Sequence, residues 1–159
     1  MTRGAAHPAS EPPPLDAIDR RLIEALLADG RLPVAALAER IGLSKTPTLA
    51  RMRRLERAGI IRGYRALVDP ARIGMEHVAF VEVKLHDTRE PALTAFNAAV
   101  RAVREVESCH MIAGAFDYLL KVRTRDIRAY RRALAERIST LPHVAATATH
   151  VAMESVKEP

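Results

Sequence analysis

The chain has 159 residues, enough for one or two domains, and 48% of them are hydrophobic while 28% are charged, so a packed core is expected. A single cysteine, Cys109, excludes an internal disulfide framework and fits a reducing compartment, and no apolar run approaches the ~18 residues of a membrane span. Three tyrosines, three phenylalanines and no tryptophan argue against a reader of RNA or single-stranded nucleic acid, which needs aromatic stacking platforms.

The formal net charge of +6 is concentrated in one part of the chain. Residues 1–65 carry 12 basic and 7 acidic side chains, a balance of +5, whereas residues 66–159 carry 13 and 12, a balance of +1. Segment 44–65 alone contains seven Lys or Arg and one acid. A basic segment of this kind favours a polyanionic partner.

The N-terminal residues predict a tail followed by a helix. Residues 1–14 contain four of the ten prolines and no apolar period, which predicts a disordered tail. They also lack the apolar core of a signal peptide, so the cytoplasm is the expected compartment. A helix begins near Leu15, where Asp16 and Asp19 form a weak capping-box pattern, and ends at Gly30.

Two further helices follow with a short turn between them. The first runs from about Pro33 or Val34 to Ile41 and closes at Gly42, and the second begins with Ser44 as its N-cap. Two short helices joined by a glycine-containing turn are the helix-turn-helix signature. The second member carries the charge, as a recognition helix must. An ordinary three-helix bundle, or a solvated basic face, is the alternative interpretation.

The third helix is predicted to have an apolar and a basic side. Leu49, Met52, Leu55 and Glu56 share one side by spacing, and Ala50, Arg53, Arg54 and Arg57 share the other, with Pro47 and Arg51 flanking them. Arginines facing outward, unpaired with the protein's own acids, suit phosphates and guanine edges in a DNA major groove. The expected DNA-contacting residues are Lys45, Thr46, Thr48, Arg51, Arg53, Arg54 and Arg57, with Ser44 as the cap.

A change in the pattern of hydrophobic residues marks the expected domain boundary. Residues 60–68 are rich in β-formers and predict a strand that leaves the DNA-binding part. Asp69-Pro70 interrupts it, and Gly74 predicts a loop. We therefore expect a helix-turn-helix domain over residues 15–66 and a linker over residues 67–75.

Residues 76–157 predict a ferredoxin-like domain. Strands are expected at residues 78–85, 106–113, 118–123 and 144–156, with a helix opened by Pro91 and another capped by Asp126 and ended by Pro142. The order β-α-β-β-α-β places both helices on one face of an antiparallel sheet. The other face needs a cover, and the same sheet from a second subunit is the simplest one, so we expect a homo-oligomer. The predicted fold class is α+β.

The combination resembles the leucine-responsive regulatory protein/AsnC family of prokaryotic transcription regulators over nearly all of residues 15–157. The matching stretches are Leu15-Asp16 with Ile18-Asp19, Asp29-Gly30-Arg31, Ile41-Gly42-Leu43-Ser44, Arg53-Arg54-Leu55-Glu56, residues 59–64, and Gly114-x-Phe116-Asp117-Tyr118-Leu119-Leu120. Ser44-Lys45-Thr46-Pro47 and residues 111–130 are similar to the branch that activates proline-utilisation genes.

The resemblance implies dimers, often assembled into octamers, with an amino-acid effector bound between dimers. Carried over by position, the effector site comprises Met111, Gly114, Asp117, Tyr118, Ile127 and Val151. A carboxylate such as Asp117 suits the effector's ammonium, and free N–H groups in the Gly114 turn suit its carboxylate. The alternatives stay open: Gly114 serving only a turn, Asp117 only capping backbone groups, and Tyr118, Ile127 and Val151 being core. Ala115 and Ala152 depart from the leucine-responsive pattern, which puts leucine itself in doubt.

The sequence predicts a cytoplasmic, nucleoid-associated, sequence-specific regulator of transcription that binds double-stranded DNA and responds to a small amino acid. The resemblance implies control of amino-acid catabolism, and of proline catabolism in particular. No catalytic apparatus, metal site, cofactor or membrane partner is expected. An architectural, chromatin-like DNA-binding protein with little sequence preference and no ligand is the alternative, and an enzyme's sensing subunit is a third.

Overall fold

The computed structural model of the chain describes residues 14–158, which separate into two compact units between Leu67 and Val68. The predicted disordered tail, residues 1–14, lies outside the described residues except for Pro14. Each unit has its own apolar core.

Unit 1 consists of three helices: α1 over Ala17–Ala28, α2 over Val34–Ile41 and α3 over Lys45–Arg57. Amphipathic spacing directs one face of each helix inward, because a helix buries residues three and four apart. The core they share comprises Leu22, Ala25, Leu37, Ile41 and Leu55, all buried. This is the predicted arrangement of helices, with ends within two residues of those expected.

Local capping explains where these helices begin and end. The Asp19 N–H donates to Asp16 Oδ1 at 2.7 Å, and the Asp16 N–H donates to Asp19 Oδ2 at 3.2 Å, so the predicted capping box is present. Gly42 ends α2 in the left-handed region at φ 74°, a conformation that glycine adopts without a steric cost. The turn between α2 and α3 is therefore short and fixed.

The predicted strand at residues 60–68 does not form among the described residues. The N–H groups of Ile60 and Ile61 both donate to the Leu55 carbonyl at 3.0 and 3.1 Å, which closes the end of α3. Residues 62–69 belong to no helix or strand, since the described part of unit 1 offers no second strand. High β-propensity without a partner does not make a sheet.

Unit 2 has the predicted β-α-β-β-α-β order after a single 3₁₀ turn at Ala71–Ile73. Its elements are β1 over His77–Leu85, α4 over Glu90–Val100, β2 over Val106–Met111, β3 over Tyr118–Thr124, α5 over Ile127–Ala133 and β4 over Val144–Val151. The sheet is antiparallel with order β2-β3-β1-β4. This is the ferredoxin-like arrangement.

The two faces of the sheet differ in chemistry. Alternate residues of β1 and β3 point toward the helices, and the buried ones include Val81, Val83, Leu120 and Val122. On the opposite face lie Phe80, which is 37% exposed, and a charged group in which Lys121 and Arg123 pair with Glu107 and Glu158. We call this opposite side the outer face.

Two elements of unit 2 depart from prediction in length. The helix expected to continue to Pro142 becomes a π-helical turn at Leu134–Ile138, where the Ser139 N–H donates to the Leu134 carbonyl at 2.8 Å. Strand β4 ends at Val151 rather than residue 156, because its partner β1 begins at His77. Both differences arise from contacts that periodicity does not encode.

Candidate nucleic-acid interface and effector site

Helix α3 is rotated about its axis relative to the predicted orientation. Its fully buried residues are Thr48 and Leu55, both at 0% exposure, while Glu56 is exposed and accepts a hydrogen bond from the Tyr64 hydroxyl at 2.9 Å. The Thr48 Oγ1–H donates to the Ser44 carbonyl at 2.9 Å, so the hydroxyl is satisfied inside the protein. Thr48 was expected to touch DNA, and that prediction is wrong for the described conformation.

Four residues form one exposed row along α3: Thr46, Ala50, Arg53 and Arg57. Spacings of four, three and four place them on the same side of the helix, opposite the buried face. The Arg57 Nε–H donates to the Arg53 carbonyl at 3.3 Å. Lys45 is exposed beside this row. Within residues 14–158, Lys45, Arg53 and Arg57 form no salt bridge.

Two other arginines of α3 are bound to acids of α1. The Arg51 Nη1 group donates to Asp16 at 2.6 Å and to Asp19 at 2.8 Å, and Arg54 also donates to Asp19. The Asp19 side chain is 0% exposed, whereas those of Arg51 and Arg54 are 27% and 41% exposed. We call these four residues the arginine clamp. Their pairing corrects the expectation that Arg51 and Arg54 face outward and unpaired.

The arginine clamp keeps Asp19 charged although it is buried. Burial by itself raises the pKa of the Asp19 carboxyl, but hydrogen bonds from Arg54 and Arg51 outweigh it and lower the pKa to about 2. The carboxylate therefore holds two guanidiniums of α3 against the N-terminus of α1 at neutral pH. This fixes the rotation of α3 and leaves the exposed row facing solvent.

Sequence reasoning missed Asp16 and Asp19 as residues that position the interface. A signal was present, since the two acids are three apart on α1 and the two arginines are three apart on α3. Equal spacings on two packed helices allow both pairs to meet. Ser44 occupies the expected N-cap position, but its side chain makes no capping hydrogen bond and its hydroxyl stays exposed.

The effector candidates of unit 2 fall into two groups at opposite ends of the sheet. Met111 pairs with Tyr118, which in turn pairs with Val83, whereas Val151 pairs with Ala79. Met111 and Val151 are therefore separated by four residues along the strand direction, about 13 Å, and by three strand spacings across the sheet, about 14 Å. Gly114 and Asp117 belong to the first end, and Ile127 follows β3 at the second. One chain therefore does not bring the six residues together.

Asp117 already has partners within its own unit. Its carboxylate accepts the Leu85 N–H at 2.7 Å and the Lys84 ammonium at 3.1 Å. The backbone hydrogen bond from Leu85, followed by that from Lys84, holds its pKa below the usual value despite an opposing effect of burial. Asp117 is thus an anchored carboxylate that stays ionised, with 15% of its side chain exposed.

Tyr118, which was expected to contact an effector, is a core residue of the described chain. It is 1% exposed, and its ring centroid lies 4.4 Å from that of Phe96. Met111, Ile127 and Val151 are 56%, 49% and 50% exposed, so their apolar side chains do remain available. They are accordingly not core, which was the alternative left open for Ile127 and Val151.

Gly114 is not required by the geometry of its turn. Its φ is not positive, and a Cβ built there would meet only the Ile112 side chain, at an ordinary 3.6 Å. An alanine would therefore fit. The turn itself therefore does not require a glycine here. The backbone of Gly114 is exposed and remains available to a ligand.

Other chemistry is not indicated by the described residues. Between residues 14 and 158 no group of three His, Cys, Asp or Glu side chains could hold a metal ion. Cys109 is half-buried against the core of unit 2, and burial raises the pKa of its thiol, which makes it less reactive. No helix in this part of the chain has the length and apolar character to cross a membrane.

Comparisons with known proteins match both units. Residues 15–62 match the family model described as winged helix-turn-helix DNA-binding, and residues 78–159 match that of the Lrp/AsnC ligand binding domain. The chain belongs to the Lrp/AsnC family. It is therefore a DNA-binding regulator of transcription with a ligand-binding domain, and it is not an enzyme.

Relatives within the Lrp/AsnC family extend over most of the chain. It is 60% identical over 144 residues to the proline dehydrogenase transcriptional activator of Rhizobium radiobacter, covering 91% of this chain and 92% of that protein. It is 46% identical to the leucine-responsive regulatory protein of Salmonella typhimurium, covering 91% and 88%. A transcriptional regulator of Neisseria meningitidis solved with L-Met gives a TM-score of 0.82 at 32% identity, covering 91% and 94%.

Proposed function

We propose that this regulator binds specific double-stranded operator sites through the exposed row of α3 and changes its binding in response to a small amino acid. Arg53 and Arg57 carry the proposal, because they are exposed cations on one side of a helix whose opposite side is buried. Lys45, Thr46 and Ser44 extend this surface at the helix N-terminus, where short side chains approach base edges.

In this proposal Arg51 and Arg54 affect DNA binding indirectly, because they hold α3 in its orientation. Their charge is already used by Asp16 and Asp19, so they contribute less to phosphate binding than the exposed row does. Residues 15–66 then form the DNA-binding domain, residues 67–75 the linker and residues 76–157 the domain for the effector and for assembly.

The proposed effector pocket lies between two copies of the chain. One copy supplies Met111, Gly114 and Asp117 from one end of its sheet, and another supplies Ile127 and Val151 from the opposite end. The ionised Asp117 suits an ammonium, the exposed backbone at Gly114 suits a carboxylate, and the apolar side chains suit the rest of the ligand. Relatives that are named proline dehydrogenase transcriptional activators support control of proline catabolism.

Exposed apolar residues support a homo-oligomer, at least a dimer and by family resemblance an octamer. On unit 1 Leu27 and Leu67 are 82% and 86% exposed, and on the outer face of unit 2 Phe80 lies beside His150 of β4, with the small, exposed Ala148 and Ala146 further along that strand. A flat face of this kind suits a second copy. The compartment we propose is the cytoplasm, with the protein bound to chromosomal DNA.

Competition at fixed salt tests sequence specificity. Full-length protein bound to a labelled fragment of the promoter it controls is challenged with unlabelled promoter DNA and with random DNA of equal length. Specific binding predicts that promoter DNA competes at least 1,000-fold better at ~0.15 M salt. Equal competition would favour the architectural, chromatin-like alternative instead.

A screen against the twenty amino acids tests the effector. A ligand that binds the native state raises the melting temperature, and the ligand found in this way is then added to the operator-binding and sedimentation assays. We expect it to change operator affinity, assembly or both, since coupling requires unequal affinity for two states. A bound amino acid that changes neither would refute the proposed response.

A further inference from the structure

Unit 2 has a second concentration of positive charge that its overall balance of +1 conceals. Between residues 123 and 137 the chain has six arginines and two acids. Five arginines of unit 2 line one open depression with a volume of about 390 Å³, formed by the α4–β2 turn, the end of β3 and one side of α5. The acids that line it are Glu105 and Glu136.

Two of these arginines already have acidic partners. Arg123 donates to Glu107 at 2.5 Å and to Glu158 at 2.6 Å, and Arg137 donates to Glu105 at 3.0 Å. The other three, Arg104, Arg125 and Arg132, form no salt bridge within residues 14–158. Three guanidiniums therefore face one depression in which Glu136 is the remaining acid, an excess of two positive charges.

Helix α5 makes this depression accessible to a small molecule. Ala129 and Ala133, four residues apart, line it with Arg132 and Glu136 on the same side of the helix. Alanine side chains leave room above the helix backbone. The π-helical turn at Leu134–Ile138 contributes Glu136 and Arg137 to the lining, and such turns occur often at functional sites.

We propose that this depression binds a small ligand carrying at least two negative charges on phosphate groups, such as a nucleoside polyphosphate. The excess of two charges favours a dianion or higher over a monocarboxylate such as most amino acids. The planar fork of arginine matches phosphate oxygens in bidentate fashion. A volume near 390 Å³ falls in the range of small-molecule sites and is concave, which suits a free nucleotide better than a duplex.

The site is separate from both sites described above. None of the six effector candidates lines the depression, and it lies wholly within unit 2. The inference therefore stands whether or not the proposed effector pocket is correct.

Titration calorimetry on the full-length chain tests it, with pyrophosphate and ATP as probes and glutamate as the carboxylate control. We expect saturable binding of the phosphate probes, and Arg125→Ala/Arg132→Ala to weaken it at least tenfold. The matched variant is Arg128→Ala/Arg131→Ala, which removes the same charge from α5, whereas Arg125 lies just before this helix and Arg132 within it. Arg128 and Arg131 line a neighbouring depression and not this one, so it should bind pyrophosphate like the unaltered chain.

Three results would overturn the proposal. The first is that the unaltered chain binds neither phosphate probe, or binds glutamate equally well. The second is that both double variants lose pyrophosphate binding to the same extent, because that indicates unspecific attraction by net charge. The third is that operator binding falls more in Arg125→Ala/Arg132→Ala than in the matched variant, while the unaltered chain binds no pyrophosphate in competition with operator DNA. That result would assign these arginines to contacts with the DNA backbone.

Discussion

At the scale of single residues, Asp19 connects the stability of unit 1 with the orientation of α3. A buried carboxylate that receives hydrogen bonds from two arginines stabilises unit 1, and it also determines which side of α3 faces outward. Removing one partner of such a group leaves the others uncompensated, which costs more than the pair itself contributes. Stability and DNA binding are therefore linked through one side chain.

We expect Asp19→Asn to lower the free energy of unfolding by roughly 2 kcal/mol, because the carboxylate is buried while both guanidiniums still reach water. Operator affinity should fall as well, because α3 loses its fixed rotation. Thermal or urea unfolding and operator titration measure the two effects. Glu24→Gln, an exposed acid on the same helix, is the control and should change neither.

The same substitution has a pH signature. The folded-state pKa of Asp19, about 2, lies below its ordinary value of 3.8, so its contribution is complete above about pH 4 and is lost as the pH falls toward 2. The stability difference between the unaltered chain and Asp19→Asn should therefore shrink over that interval. A difference that is constant from pH 5 to pH 2 would contradict the charged arginine clamp.

Gly114 provides a test of the effector site that spares the fold. Since a Cβ fits at this position, Gly114→Ala should melt within a degree or two of the unaltered chain. We expect it to weaken the effector by about 1 kcal/mol, roughly fivefold, by crowding the exposed backbone. The effector-induced rise in melting temperature reports this loss. An unchanged rise in melting temperature would show that Gly114 does not take part in effector binding.

At the scale of elements, helix α3 shows what the sequence could and could not predict. Its existence, length and basic character follow from caps and spacing, as does the β-α-β-β-α-β order of unit 2. Its rotation does not, since the burial of Thr48 depends on how unit 1 packs and that of Arg51 on acids at the N-terminus of another helix. The missing strand at residues 60–68 likewise depends on a neighbour that periodicity cannot supply.

The rotation of α3 distinguishes adjacent arginines. Arg53→Ala should leave unfolding unchanged while it weakens operator binding and reduces the slope of log K against log salt by about 1. Arg54→Ala should lower stability through loss of the Asp19 pair and change that slope less. Arg101→Ala, in the other unit, is the control of equal charge. Identical behaviour of the Arg53 and Arg54 variants would contradict the assignment.

At the scale of the whole molecule, the proposed assembly uses the outer face of the sheet. Phe80 lies there beside His150 of β4 and beside Lys121 of β3, which is paired with Glu107. Phe80→Glu should shift the sedimentation coefficient toward the monomer, because an unpaired carboxylate would be buried against a second copy. Thr94→Glu, on the exposed side of α4, is the control. A Phe80→Glu variant that sediments like the unaltered chain would place the interface elsewhere.

The separation of the effector candidates to opposite ends of one sheet has a consequence for the cell. The proposed pocket, which needs both ends, exists only while copies are associated, so its occupancy would depend on protein abundance as well as on the concentration of the ligand. The proposed response then depends on two concentrations, that of the regulator and that of the amino acid. At low protein abundance we therefore expect a higher amino-acid concentration to be needed for the same response.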